Sequence, residues 1–187
     1  MQIPPSIGVL AETRLRSLAV LAADRSRLPE DQAQTVLTVV SSVEAYVDSI
    51  LRTLIAASGY NQTAFFRAML AELEDKIYQS WAERHSWLKK GFSVSIAGSA
   101  AAYDLLTLVD LRNALFHGNG RLTEKQSGGT AALIDLEHRL WRTLEVRTEN
   151  RVVHLASSTG GRAVGVARAY IFALDTEVRL KQPGARV

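Results

Sequence analysis

Residues 100–120 read AAAYDLLTLVDLRNALFHGNG, and the fold is decided in this stretch. Leu105, Leu108, Val109, Leu115 and Phe116 recur at helical spacing and form one apolar stripe. At about 100° per residue, Arg112 falls inside that stripe and not on a polar face. A guanidinium facing a core is costly unless it is paired or lies at an interface. Asn113 and His117 stand at i and i+4, so they share a helix face. Arg112 and His117 are separated by about 140° on an ideal helix. They converge on one ligand only if the helix ends near His117 or if a second subunit completes the site. Gly118-Asn119-Gly120 supplies the break, with Gly118 placed for the left-handed position just past a helix end.

Working outward, the rest of the chain is also dominated by helical periodicity. A first helix is expected over about 7–27, with Leu10, Leu15, Leu18 and Leu21 among its apolar positions. Leu28-Pro29-Glu30-Asp31 breaks the chain and opens an acidic helix start with Pro in the first turn. A long helix then runs over 30–57 on Val36, Val39, Val40, Val43, Val47, Ile50, Leu51, Leu54 and Ile55, and Gly59 ends it. Asn61-Gln62-Thr63 can cap a helix carrying Phe65, Phe66, Met69, Leu70, Leu73 and Ile77. Trp81 to Lys90 either continues that helix or forms a separate short turn. Gly91 to Ser99 reads as a loop above the motif helix, which covers about 100–117.

The glycine-rich segment 118–130 reads as an irregular connection, and 131–142 as a further helix. Leu144 to Arg147 and Arg151 to Leu155 alternate in character around Thr148-Glu149-Asn150, which predicts a β-hairpin over about 144–155. A last helix follows over about 162–180, and the tail from Pro183 is expected to fray. The predicted fold is mainly all-α, a single 1–187 domain built as an up-and-down helical bundle with a small β-hairpin before the last helix.

Composition narrows the chemistry. Hydrophobic residues make up 47% and charged residues 22%, an ordinary balance for a globular chain. No apolar run approaches the roughly 20 residues that span a bilayer. The start Met1-Gln2-Ile3-Pro4-Pro5 lacks a secretory pattern, so a cytoplasmic location is expected. The absence of cysteine excludes disulfides, thiolate metal sites and cysteine nucleophiles. His85, His117, His138 and His154 are scattered with no metal-binding spacing, so no metal and no cofactor are expected. Phosphate-loop, dinucleotide, serine-hydrolase and zinc-protease motifs are all missing. Charge is asymmetric. Residues 1–111 hold 10 Lys/Arg against 12 Asp/Glu (−2), and residues 112–187 hold 12 against 7 (+5). The excess begins at the motif, which fits either a polyanion approaching there or a plain solvated surface.

Arg and His together can act on a phosphodiester without a metal. Arg offers a planar, permanently charged fork, and His exchanges a proton near neutral pH. The plainer alternatives are His117 capping a helix C-terminus and Arg112 forming a structural ion pair with Glu44. Arg121 and Lys125 either touch phosphates or belong to a solvated loop. Trp81, Trp87 and Trp141 read as core or interface packing, with base stacking as the alternative. His154 reads as a surface residue, and Tyr103 as packing near the start of the motif helix.

Arg112-Asn113, a short spacer and His117 at the end of a long apolar helix resemble the signature of the HEPN superfamily. His117-Gly118 is similar to the groups related to its RiboL-PSP branch. Ser41-Ser42-Val43-Glu44-Ala45-Tyr46-Val47-Asp48 resembles the early HEPN helix that carries an acidic residue beside an aromatic. The resemblance in helix order covers most of the chain. It implies a metal-independent endoribonuclease acting as a toxin or anti-phage effector, usually as a homodimer with a composite active site. It casts Arg112, Asn113 and His117 as catalytic residues and Glu44 as support, with RNA as substrate and an antitoxin or defence-system protein as partner, and no membrane. His117 would exchange a proton with the 2′-OH or the leaving oxygen, Arg112 would offset charge on the phosphate, and Asn113 would position one of them. Other members of the superfamily only bind RNA, nucleotides or partner proteins, and that reading stays open. In HEPN toxins paired with minimal nucleotidyltransferases a Tyr stands two residues after the His. Asn119 stands there in this chain, which argues against neutralisation by that route.

Overall fold

A computed structural model of the chain describes residues 7–23, 29–59 and 63–183. These residues form eight helices and one antiparallel hairpin: α1 (Ile7–Ala23), α2 (Pro29–Ala57), α3 (Ala64–Ile77), α4 (Trp81–Phe92), α5 (Ala100–Phe116), α6 (Glu124–Ser127), α7 (Thr130–Leu144), β1 (Arg147–Glu149), β2 (Val152–His154) and α8 (Thr159–Lys181). The protein is therefore mainly helical, with a small hairpin before its last helix, as the periodicity predicts. Residues 24–27 of the expected first helix, Asn61 and Gln62 of the expected cap, and 184–187 of the tail lie outside the described residues, as does the side chain of Leu21. No described helix is long and apolar enough to cross a membrane.

The chain divides into two compact units. One comprises Met1–Arg14, Val43–Ala97 and Ile171–Val187, and the other Leu15–Ser42 and Gly98–Tyr170. The divisions fall inside α1, α2 and α8 and in the loop between α4 and α5.

The first unit buries Val43, Tyr46, Val47, Ile50, Leu51 and Leu54 of α2 together with Ile77, Leu88, Ile171, Leu174 and Val178. Helix α2 starts on Pro29, whose fixed φ suits a first helical position, and stops at Gly59 with φ 72°. Trp81 to Lys90 belongs to a separate helix. The Ser80 hydroxyl accepts the Glu83 N–H at 3.2 Å; Ser93, left-handed at φ 57°, donates its N–H to the Lys89 carbonyl, and the Val94 N–H donates to that of Leu88. Arg84 is buried on α4, where its fork closes on both oxygens of Asp48 at 2.7 and 3.2 Å. Helix α3 departs from expectation. Phe65 is exposed, and Phe66, Met69, Leu70 and Leu73 are only half-buried around an open apolar hollow beside Trp87.

The second unit holds the motif helix. Ser99 caps α5 by accepting the Ala102 N–H at 3.2 Å, and Ala102, Leu105, Leu108, Leu111 and Ala114 face the core. Helix α7 lies along the adjoining face. Thr143 donates to Asp104 at 3.1 Å, and Arg139 donates to Thr107 at 3.1 Å while pairing with Asp110 at 3.4 Å and Asp135 at 2.9 Å. The connection expected to be irregular contains a one-turn helix, α6. Thr123 and Gln126 form a reciprocal capping box there, a pattern that satisfies two otherwise orphaned amides.

The hairpin is shorter than expected. Leu144 ends α7, Glu145 is its left-handed cap, and Thr148 and Glu149 are strand residues, with Arg147 opposite His154 and Glu149 opposite Val152. The turn is Asn150-Arg151, both with positive φ (49° and 67°), the hairpin geometry that matches strand twist. Helix α8 begins where the Gly160 N–H meets the buried Gln32 Oε1 at 2.7 Å.

Candidate functional site

Helix α5 ends at Phe116, and His117 is its cap residue. His117 keeps near-helical dihedrals (φ −94°, ψ −28°), and its N–H donates to the Asn113 carbonyl at 2.9 Å. Asn113 and His117 thus share a helix face, as their spacing predicts. Because His117 is still helical, the angular separation of about 140° from Arg112 persists within one chain. The helix end alone does not swing the imidazole toward the guanidinium.

Phe116 lies between the two. The Arg112 guanidinium sits over the Phe116 ring at 5.4 Å, and the His117 ring meets Phe116 edge-to-face at 4.9 Å. Arg112 also donates to the Asn113 side-chain oxygen at 3.0 Å. Both contacts orient the guanidinium without neutralising it, so its full charge is retained. Glu44, the expected partner, is half-buried on the part of α2 that belongs to the other unit. The expected core stripe is corrected in one respect. Leu111 and Ala114 face inward, Arg112 is half-buried, and Phe116 is 64% exposed. Phe116 at i+4 from Arg112 is a pairing signal in the sequence, but its phase with the apolar stripe makes it look like core.

The backbone after His117 folds back tightly. Gly118 does not supply the left-handed residue; Asn119 (φ 49°) and Gly120 (φ 80°) do. Gly118 is required for another reason: a Cβ there would lie 1.9 Å from the Arg121 carbonyl oxygen and 2.7 Å from that of Ala114. Arg121 then bridges to Val152, the Val153 N–H donates to the Gly120 carbonyl at 2.9 Å, and the Leu122 N–H donates to the Arg151 carbonyl at 2.9 Å. The segment after the motif is thereby attached to the hairpin by an isolated antiparallel bridge.

Arg121 is exposed and donates to the Asn150 carbonyl at 3.1 Å, which holds it over the hairpin turn. Lys125 falls in α6, and its side chain lies outside the described residues. On the other side of α5, Gln126 donates to the Asp110 carbonyl at 2.7 Å. Burial pushes the Asp110 carboxyl above the ordinary aspartate range, against the opposing pull of Arg139 and of the hydrogen bond from Gln126. Among the described residues no three His, Asp or Glu side chains are grouped as a metal site would need. Neither family models, nor curated proteins, nor solved structures give a match to this chain.

Among the described residues, the arrangement therefore offers a guanidinium with no carboxylate partner, an exposed imidazole, and an amide between them. All three are carried on the end of a helix that also exposes large apolar side chains. Tyr103, Leu106 and Phe116 are exposed on α5, although Tyr103 reads from sequence as packing.

Proposed function

We propose that this chain is a metal-independent endoribonuclease of HEPN type, working as a homodimer whose composite site draws on both copies of α5. The observation that carries the reading is the Arg112–Phe116–His117 cluster. It gathers a charge-bearing fork and an exposed imidazole around one exposed aromatic. The separation of Arg112 from His117 within one chain supports the dimer, because the Arg112 of one copy can then serve the His117 of the other. The exposed apolar side chains of α5, Tyr103, Leu106 and Phe116, support it as well, because large apolar groups left in solvent together mark an interaction surface.

The chemistry follows from the side chains. His117 takes the proton of a ribose 2′-OH, the resulting oxygen attacks the adjacent phosphorus, and the 5′-oxygen of the next nucleotide leaves with a proton returned to it. Arg112 stabilises the charge that develops on the non-bridging oxygens, where a preorganised donor is worth most. Asn113, bonded to Arg112, sets the direction of the fork. Dependence on the 2′-OH makes RNA and not DNA the substrate. The cellular role in keeping with such chemistry is a toxin or anti-phage effector restrained by a partner, and Glu44 is assigned a supporting part.

The test is cleavage of mixed RNA in EDTA by the wild type and by His117→Ala of unchanged fold. Cleavage by the wild type alone, leaving 2′,3′-cyclic phosphate ends, is the expected result. A requirement for a divalent metal, or equal cleavage by both proteins, overturns the reading. Binding of RNA without turnover would move the chain to the non-catalytic members of the superfamily.

A further inference from the structure

The three tryptophans differ sharply in exposure. Trp81 is buried and Trp87 half-buried, but Trp141 on α7 is 46% exposed. The guanidinium of Arg147 lies over its ring, 5.1 Å from the centroid. Among the described residues no carboxylate pairs with Arg147. The neighbouring acid Glu145 is instead engaged by Ser158 and Arg162, which also hold its carboxyl below the usual range. A large ring left half in solvent with a free cation stacked on it is a poor way to stabilise a fold. It is a good platform for a flat, electron-rich ligand carrying negative charge nearby.

The register of the hairpin says where this platform faces. Residues paired across antiparallel strands point to the same side of the sheet. Arg147 pairs with His154, Glu149 with Val152, and Val152 with Arg121. Arg121, Arg147 and His154 therefore share one face, with Glu149 the one acid among them. Arg121 is four residues past His117 and lies at the near edge; Arg147 and Trp141 lie at the far edge. Strand spacing puts roughly 12 Å between Arg121 and Arg147. That is the span of a few nucleotides of a single strand.

We infer that Trp141 and Arg147 form a base-stacking subsite for single-stranded RNA. It receives a nucleobase a few positions from the scissile phosphate, while Arg121 holds an intervening phosphate. This rests on the ribonuclease reading of the motif and adds to it the form of the substrate: an unpaired strand with accessible bases, which a duplex cannot supply. The subsite is indifferent to base identity, because stacking uses the ring face common to all four bases.

The test uses the full chain and a 5′-fluorescein-labelled, 2′-fluoro single-stranded oligonucleotide of mixed sequence, which lacks the attacking hydroxyl and cannot be cleaved. Binding is read by fluorescence anisotropy. Trp141→Ala weakens binding roughly tenfold or more, the loss of one stacked base. Trp141→Phe retains most of the affinity, and a sugar–phosphate chain without bases binds the wild type and Trp141→Ala alike. Trp141 is exposed, so the unfolding midpoint of each variant stays near that of the wild type. Equal binding by Trp141→Ala and wild type overturns the subsite while leaving the ribonuclease reading standing. Trp141-dependent binding by a protein that cleaves no unmodified RNA supports the subsite and overturns the catalytic reading. Failure of the wild type to bind overturns both.

Discussion

The guanidinium of Arg112 lies over the ring of Phe116, one helical turn further along α5, and that ring is also the neighbour of His117. An exposed aromatic so placed can be removed without opening a core. Phe116→Ala is expected to shift stability by no more than about 0.5 kcal/mol. On the proposed ribonuclease reading it frees a fork that must be held in one orientation, so kcat/KM for RNA should fall roughly tenfold, which is about 1.4 kcal/mol in the barrier. Phe116→Tyr should keep most of the rate. Steady-state kinetics alongside denaturant unfolding check the pair. An inert Phe116→Ala would show that the ring plays no part in the site.

Two inactive variants should rescue each other if the site is shared between copies. Arg112→Ala and His117→Ala are each expected to be silent alone. When unfolded and refolded together, they form mixed dimers in which one site holds an intact Arg112 from one chain and an intact His117 from the other. Recovered cleavage is the expected result, measured against each variant refolded alone. No recovery from a mixture shown to contain mixed dimers would place both groups in one chain.

The glycines after His117 should not be equivalent. Gly118→Ala forces a methyl group against the Arg121 and Ala114 carbonyls and should cost about 2–3 kcal/mol, the range of a forced overpacking. Gly120→Ala meets open space and carries only the penalty of a left-handed backbone, about 1–2 kcal/mol. Urea unfolding of both variants gives the order directly, and a milder Gly118→Ala would contradict the packing account.

In the first unit, the buried fork of Arg84 on Asp48 makes a sharper case than the surface pairs. Arg84→Ala leaves Asp48 facing a depleted dielectric with no partner and should destabilise by about 3 kcal/mol. The double replacement Arg84→Met with Asp48→Leu should recover much of that loss, because two apolar groups need no desolvation of charge. A double variant as unstable as Arg84→Ala would refute this.

His85 and Asp110 should tilt the pH profile of stability in opposite directions. Burial, helped by the charge of Arg84, lowers the His85 pKa from 6.5, so the unfolded chain binds the proton more readily. The stability this group contributes is present above pH 6.5 and is lost as pH falls through the lowered value. Asp110 has the reverse sign. Its raised pKa favours the protonated folded state, so its contribution is full below the ordinary aspartate value of 3.8 and is lost as pH rises through the raised value. His85→Gln should flatten the slope just below neutrality, and Asp110→Asn the slope in the acid range. Unfolding midpoints measured across both windows would expose a wrong sign.

Much of this fold can be read from spacing alone. The apolar positions of α2 recur so regularly that all but Ile55 of the expected stripe are buried. The ends of α5 follow from Ser99 and the glycines beyond His117. What spacing misses depends on side chains meeting across the chain. Phe65 and Phe66 look like core because periodicity cannot say whether a facing surface exists. Phe116 is apolar and in phase, yet it faces out and receives Arg112. Trp141 reads as core or interface packing by residue type, and only the position of Arg147 past a left-handed Glu145 reveals the exposed stack. The hairpin turn carries no Asn-Gly signal, since Arg151 takes the left-handed position that glycine usually fills. Within the candidate site, Arg112, Asn113 and His117 are legible as a group, whereas the ring that touches both Arg112 and His117 and the bridge that follows them are not.

The pairing of Gly120 to Leu122 with the hairpin fixes the length of the chain between His117 and Leu122. An inserted residue there would slip the register by one and turn Arg121 to the opposite side of the sheet. Relatives that keep this hairpin should therefore show an invariant interval from the histidine to the first strand-like residue. Insertions and deletions should gather instead at Gly128-Gly129, where the backbone is exposed and bound to no strand.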